Sequence, residues 1–283
     1  LEEPGESYVV DIPITNDPVK GQIVLEKKGL QLTGFEERTD AWGNTFQHPI
    51  YAERYLVGAV FEVRAAEDIR GRDGTAWFTK DELVDTITTT AEGCDTSKLL
   101  PLGKYYLTEV AAPEGYSFDS TRYEVELVYA DGQTAIVETV VAVQNTFLSA
   151  EITLMKEKEI LQPVSDKDKT VHQVLGTTAG EGFVFGLYNA SDIRYTGGTL
   201  MADALVATGI TDTEGRLTFA GCYPHGAYYI KELTAPAGWK LNPNRFDLLL
   251  DPAKAQENVI RVAFPEAVLD ELIYGKIMRN KTD

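Results

Sequence analysis

The chain has 283 residues, with 44 acidic against 26 basic side chains and a formal net charge of -18. This acid excess argues against nucleic acid or an anionic membrane surface as partner, because phosphate recognition needs a basic footprint. At 43% hydrophobic residues the chain can build cores, yet it holds no apolar run of about 18 residues that could span a bilayer. Two cysteines, Cys94 and Cys222, and three histidines exclude a disulfide scaffold and the usual four-ligand zinc site.

Residues 1–20 carry no signal segment and read as a linker or as the last strand of a preceding domain. From Gly21 the pattern has period two: Ile23, Leu25 and Lys27 fall on one face of a strand. An insertion, Gly29–Val57, follows, with Trp42, Phe46, His48, Tyr51 and Tyr55. It is expected to be a loop whose aromatics cover a sheet edge or pack on a neighbouring domain. The alternative is a ligand-binding loop in which Trp42 and Tyr51 make the contacts. A short helix is expected near Thr79–Asp85, where Thr79 and Glu82 have capping-box spacing. Strand patterns return at Tyr105, Leu107 and Glu109, in YEVELVY from Tyr123, and at Val141, Val143 and Asn145. Asp73-Gly74, Glu92-Gly93, Asp131-Gly132 and Glu214-Gly215 are turn signals. A second insertion, Glu157–Gly180, is polar and reads as a mobile loop.

The chain repeats itself. GKYYLTEVAAPEGY from Gly103 aligns without gaps on GAYYIKELTAPAGW from Gly226, an offset of 123. GAVFEV at Gly58 matches GFVFGL at Gly182, an offset of 124, and Lys27 falls against Lys156 at 129. The unit is a domain, present at 21–148 and again at 149–274, with 275–283 reading as the first strand of a following one. Short strands between frequent turns argue for β-sandwiches.

In each repeat a polar residue ends the inward row of three strands. In the first these are Lys27, Glu109 and Asn145. Burial costs a charged group dearly unless it is paired, and it favours the neutral forms of amines and carboxylic acids. A neutral amine is a nucleophile and a protonated carboxyl can shuttle protons. Together the three groups could join lysine to asparagine through an amide, with loss of ammonia.

YxLxExxAPxGY at Tyr105–Tyr116 resembles the E-box of Gram-positive pilins. With GxIxxxK at Gly21–Lys27, the GAxF turn at Gly58–Phe61 and an Asn in the last strand, both repeats resemble Cna B-type domains, also called prealbumin-like or SpaA-type. The resemblance implies all-β, tandem immunoglobulin-like sandwiches with short helical insertions. It also implies an autocatalytic isopeptide bond between Lys27 and Asn145, promoted by Glu109. In the second repeat Lys156 and Glu232 follow directly. Asn145 precedes Lys156 by 11 positions, and 11 before Lys281, in the strand-like GKIMRNK, lies Asp270. Lys156–Asp270 is therefore the expected pair, formed with loss of water, with Asn280 as rival. The same spacing marks Asn16 ahead of Lys27. Trp239 in place of the closing tyrosine is a departure from the pattern.

These readings point to a stalk section of a cell-wall-anchored, extracellular surface protein, a pilin or a multidomain adhesin, with no cofactor or metal. Its expected partners are neighbouring domains of the same chain, other pilin subunits or host extracellular matrix. An adhesive module binding matrix protein or glycan is the alternative. No nucleophile–base–acid set beyond the proposed bond-forming residues suggests a hydrolase, and the two cysteines, at unmatched positions, read as ordinary thiols.

Overall fold

A computed structural model of the protein describes residues 18–71, 74–91, 93–264 and 268–270, with 269 and 270 described by backbone alone. The expectations for Asn16, Asn280, Lys281, most of 1–20 and all of 275–283 lie outside the described residues.

Among the described residues the first repeat contributes eleven strands: β1 (Lys20–Thr39), β2 (Thr45–Tyr55), β3 (Val60–Ala65), β4 (Ile69–Arg70), β5 (Ala76–Phe78), β6 (Leu83–Thr88), β7 (Cys94–Thr96), β8 (Leu100–Pro101), β9 (Gly103–Ala111), β10 (Arg122–Leu127) and β11 (Ile136–Asn145). The second contributes β12 (Ser149–Ser165), β13 (Val171–Ala179), β14 (Val184–Asn189), β15 (Ile193–Tyr195), β16 (Gly198–Leu200), β17 (Leu205–Ile210), β18 (Arg216–Gly221), β19 (Gly226–Thr234), β20 (Arg245–Leu250), β21 (Val259–Ala263) and β22 (Val268–Asp270).

Among the described residues each repeat forms two main sheets and a two-stranded ribbon, β4-β5 in the first and β15-β16 in the second. In the first, β11-β1-β2 with β7 and β8 faces β10-β9-β3-β6. In the second, β13-β12-β18 with β21 and β22 faces β17-β14-β19-β20. The inward rows of each pair make a separate core. One is built on Ile23, Leu25, Phe61, Val63, Tyr105, Leu107, Val141 and Val143. The other is built on Ile152, Leu154, Phe185, Leu187, Phe219, Tyr228 and Ile230. In both, the first strand pairs in parallel with the last.

Two expectations about local structure are corrected. The helix at Thr79–Asp85 is a turn running into β6. The Glu82 carboxylate does accept from the Thr79 N–H at 2.8 Å, as a capping box demands, but Asp81 has φ 65°, which turns the chain out of a right-handed helix. Among the described residues the helical structure is one 3₁₀ turn, Pro252–Lys254, capped by Asp251. The insertions, expected as loops, are long β-hairpins: β1 runs on past Gly29 and pairs with β2, and β12 pairs with β13 in the same way.

The first hairpin reaches the second domain. Phe35 meets Tyr195 edge-on with centroids 5.6 Å apart, and β2 packs beside β17. The Tyr51 hydroxyl donates to the Cys222 carbonyl at 3.2 Å, and its ring lies 5.0 Å from that of Phe147. A cleft of about 440 Å³ lies at this junction, lined in part by Leu30, Glu53, Phe147, Cys222 and Asn258.

Candidate functional site

Period two along β1 carries Lys27 into the core row behind Ile23 and Leu25. β9 does the same for Glu109 after Leu107, and β11 for Asn145 after Val143. The three side chains converge between the sheets. Lys27 is 0% exposed, Glu109 2% and Asn145 5%. Lys27 Nζ donates to Asn145 Oδ1 at 2.5 Å and pairs with Glu109 Oε1 at 3.0 Å. Asn145 Nδ2 donates to both Glu109 oxygens, at 3.0 and 3.2 Å. Phe61, on β3, lies under the amine, 4.9 Å from ring centroid to Nζ. The backbone beside the site needs glycine: Gly29 pairs with Asn145, and a Cβ there would stand 2.9 Å from the Asn145 carbonyl oxygen and 2.7 Å from Leu56 Cδ1.

Burial pushes the Lys27 ammonium below the usual lysine range, while the hydrogen bond and charge of Glu109, and the charge of Asp119, pull it back up. A proton passed from Lys27 to Glu109 leaves a neutral amine against a carboxamide and an acid hydrogen-bonded to the carboxamide nitrogen. That arrangement supports amide exchange: nucleophile, electrophile and proton carrier are in mutual contact and shielded from water.

The second domain repeats the frame. Lys156 is 0% exposed and Glu232 3%, and Nζ and Oε2 are 3.3 Å apart. Lys156 faces Val268 and Lys158 faces Asp270 across the parallel pair. This is the register in which Lys27 faces Val143 and Gly29 faces Asn145. Asp270 thus holds the backbone position of Asn145. The aromatic beneath the amine differs: Phe183 lies 4.6 Å from Lys156 Nζ, whereas Phe185 is the residue that pairs with Glu232 as Phe61 pairs with Glu109.

Trp239 keeps the job of the tyrosine it replaces. Tyr116 donates its hydroxyl to the Leu30 carbonyl at 2.6 Å, and Trp239 donates its indole N–H to the Glu159 carbonyl at 2.9 Å. Both acceptors lie three residues past the lysine, so each closing aromatic ties its loop over the site. The Tyr-Tyr pairs also match: Tyr105 and Tyr228 donate to Pro101 and Pro224, and Tyr106 and Tyr229 to Asp81 and Asp203.

One group beside the site was missed in the sequence. The backbone N–H of Asp119 donates to Glu109 Oε2 at 2.8 Å, and the Asp119 carboxylate accepts from the Tyr123 hydroxyl at 2.5 Å. Asp119 lies in the loop before β10, outside any periodic pattern. The alternative ligand residues do not come together at this site. Trp42 is 46% exposed in the β1–β2 turn, while Tyr51 is engaged at the domain junction. Cys94 and Cys222 are free thiols, one in each domain. Among the described residues no helix is long and apolar enough to cross a membrane.

The chain is 28% identical over 145 residues to the trypsin-resistant surface T6 protein of Streptococcus pyogenes serotype M6, covering 48% of this chain and 24% of that one. In structure it is similar to the Bacillus anthracis TIE protein, with TM-score 0.53 and 22% identity over 90% of this chain and 34% of that chain. A weaker likeness, TM-score 0.29 at 17% identity, links it to GBS52, the minor pilin of Streptococcus agalactiae, over 89% of this chain and 96% of that chain. The chain thus spans about a quarter of the T6 protein and a third of the TIE protein. The SpaA prealbumin-like fold domain matches it twice, at residues 51–142 and 150–261, so the chain belongs to that family as two domains in tandem.

Proposed function

We propose that the chain is a structural section of a Gram-positive cell-surface stalk, pilin-like, in which each domain staples its first strand to its last. In the first domain the Lys27 amine attacks Cγ of Asn145. Glu109 takes the amine proton and delivers one to the departing nitrogen, so that an Nζ–Cγ amide forms and ammonia leaves. In the second, Lys156 and Asp270 join with loss of water under Glu232. Each reaction happens once per molecule and is self-modification without turnover. The observation that carries this reading is the buried contact of Lys27 with Asn145 at 2.5 Å, bridged on both sides by Glu109. Family membership and the surface relatives agree with a mechanical role. Assembly with other pilin subunits and anchoring to the cell wall belong to the same proposal.

Intact-protein mass spectrometry tests it. The expected mass lies below the sequence mass by one ammonia and one water. An unshifted mass would sink the reading for both domains, and loss of ammonia alone would confine it to the first.

A further inference from the structure

The two domains also differ in the loop beside the reacting groups. β10 and β20 pair with β9 and β19 in the same register, Arg122 opposite Thr108 and Arg245 opposite Lys231. Asp119, Thr121 and Tyr123 therefore correspond to Asn242, Asn244 and Phe246. The turn is retained: the Thr121 N–H donates to Asp119 Oδ1 at 2.9 Å, and the Asn244 N–H to Asn242 Oδ1 at 2.9 Å. What changes is the charge, together with the phenol that holds it.

We infer that Asp119 is a positioning and tuning residue, whose fixed negative charge sets the pH range over which the Lys27–Asn145 bond forms, and that Asn242 leaves the second site without that charge. This rests on the bond-forming reading above. The reactive pair shares one proton in addition to the neutral amine: Glu109 holds it as an acid. A second proton makes the lysine an ammonium and removes the nucleophile. Loss of the shared proton leaves no acid for the departing nitrogen. The rate is therefore bell-shaped in pH. A nearby anion raises the proton affinity of the pair as a whole, so it moves both limbs upward.

Asp119 is built to stay ionised. Burial acts to raise its carboxyl, but the donors Thr121 and Tyr123 and the Lys27 charge outweigh this and hold it below the usual carboxylate range. Lys27 from β1, Glu109 from β9, and Tyr123 from β10 are the titratable groups around it, with Tyr116 on the same loop engaged by Leu30. Tyr123 and Tyr116 are each pushed up to about 12 by burial, and so stay neutral through the range concerned. Phe61 of β3 and Asn145 of β11, which touch Lys27, do not titrate.

The test uses the full chain recovered unreacted from inclusion bodies in denaturant, refolded by dilution across a pH series, quenched, and weighed. Peptide mapping assigns each mass loss to its domain. Asp119→Asn is expected to shift the whole profile of the first-site ammonia loss down by about one pH unit, the size of a charge effect at close range in a partly polar interior. Asn242→Asp is expected to shift the second-site profile up. It also decides the matter should Asp119→Asn refold poorly. Tyr123→Phe keeps the charge and is expected to leave the profile in place or move it upward. Unshifted profiles in both charge variants would overturn the inference, as would a downward shift in Tyr123→Phe equal to that of Asp119→Asn. Failure of the wild-type chain to lose mass at any pH is a different result, and removes the bond-forming reading itself.

Discussion

Replacing Glu109 by glutamine separates the covalent bond from the packing around it. The substitution keeps the volume between Lys27, Asn145 and the Asp119 N–H but removes the group that carries protons. The chain should fold with both sheets intact and lose no ammonia. Lys27 and Asn145 are 118 positions apart, and closing a loop of that length in the unfolded chain lowers its entropy by an amount equivalent to about 5 kcal/mol at room temperature, by analogy with disulfides. A domain of this size has a total stability of about 5–15 kcal/mol, so the open form is expected to be marginal. Taking about 4 °C per kcal/mol, its melting point should fall by about 20 °C. The amine left without a carboxylate partner adds to the loss, so the closure value is a lower bound. Glu109→Gln and wild type are compared by calorimetry, with Glu232→Gln as the control that leaves the first domain crosslinked. Retention of the ammonia loss in Glu109→Gln would refute the proton-carrier role. A destabilisation below about 1 kcal/mol, in a chain whose wild type has lost the ammonia, would refute the closure argument.

Under force, the crosslinked first domain should not extend beyond the residues outside Lys27 and Asn145, whereas Glu109→Gln should release about 400 Å of contour, at about 3.4 Å for each of the 118 steps from Lys27 to Asn145; equal extensions in single-molecule traces would count against the bond. Asp270→Ala should abolish the water loss and leave the ammonia loss, and persistence of the water loss would point to another partner for Lys156. Trp239→Phe should cost about 1 kcal/mol in the second domain by removing the hydrogen bond to the Glu159 carbonyl, read as a shift in denaturation midpoint, with no change meaning that the clasp is incidental. Tyr51→Ala should widen the distribution of interdomain distances in small-angle scattering while both mass losses persist, because it removes the hydroxyl contact to Cys222 and the ring contact to Phe147.

The buried lysine, glutamate and asparagine were legible because a strand offers only two faces. Once Ile23 and Leu25 claim the core, Lys27 has no other place to go, and the same constraint fixes Glu109 and Asn145. The continuation of β1 past Gly29 was not legible. There the apolar pattern weakens, Gly34 interrupts it, and the pairing with β2 slips at Leu32/Gly34, so period two is lost over the stretch that would have revealed the hairpin. The false helix had a different cause: the capping contact between Thr79 and Glu82 is real, but a contact of that range closes a turn as readily as it starts a helix. Asp119 was hidden because its role comes through its backbone N–H and a loop that folds back on β9, which no spacing rule reports. Trp239 misled by residue type. What the site requires at that position is a ring with a donor, and indole meets it as well as phenol does.

The topology gives the proposed bond a mechanical place. β1 and β11 are parallel, so tension applied to the two ends of the domain pulls them in opposite directions along their shared edge. Hydrogen bonds alone would carry that load in shear. Lys27 lies seven residues into β1, and Asn145 is the last residue of β11. On the bond-forming reading, load entering at Lys20 passes along β1 to Lys27, crosses to Asn145, and leaves toward Ser149, where the second domain begins. Everything between Lys27 and Asn145 lies off that path. The chain after Lys27 is therefore free to serve another purpose, and it does so within a few residues: the β1–β2 hairpin leaves the sandwich and leans on the second domain through Phe35 and Tyr51. The second domain begins the same scheme, with Lys156 seven residues into β12, Asp270 in the matching register, and the β12–β13 hairpin beyond. With the proposed bond in place, a covalent line along the axis and a lateral brace at the junction arise from one strand, divided at the lysine. Neither requires a cysteine, which gives the scarcity of that residue in the composition a physical reason.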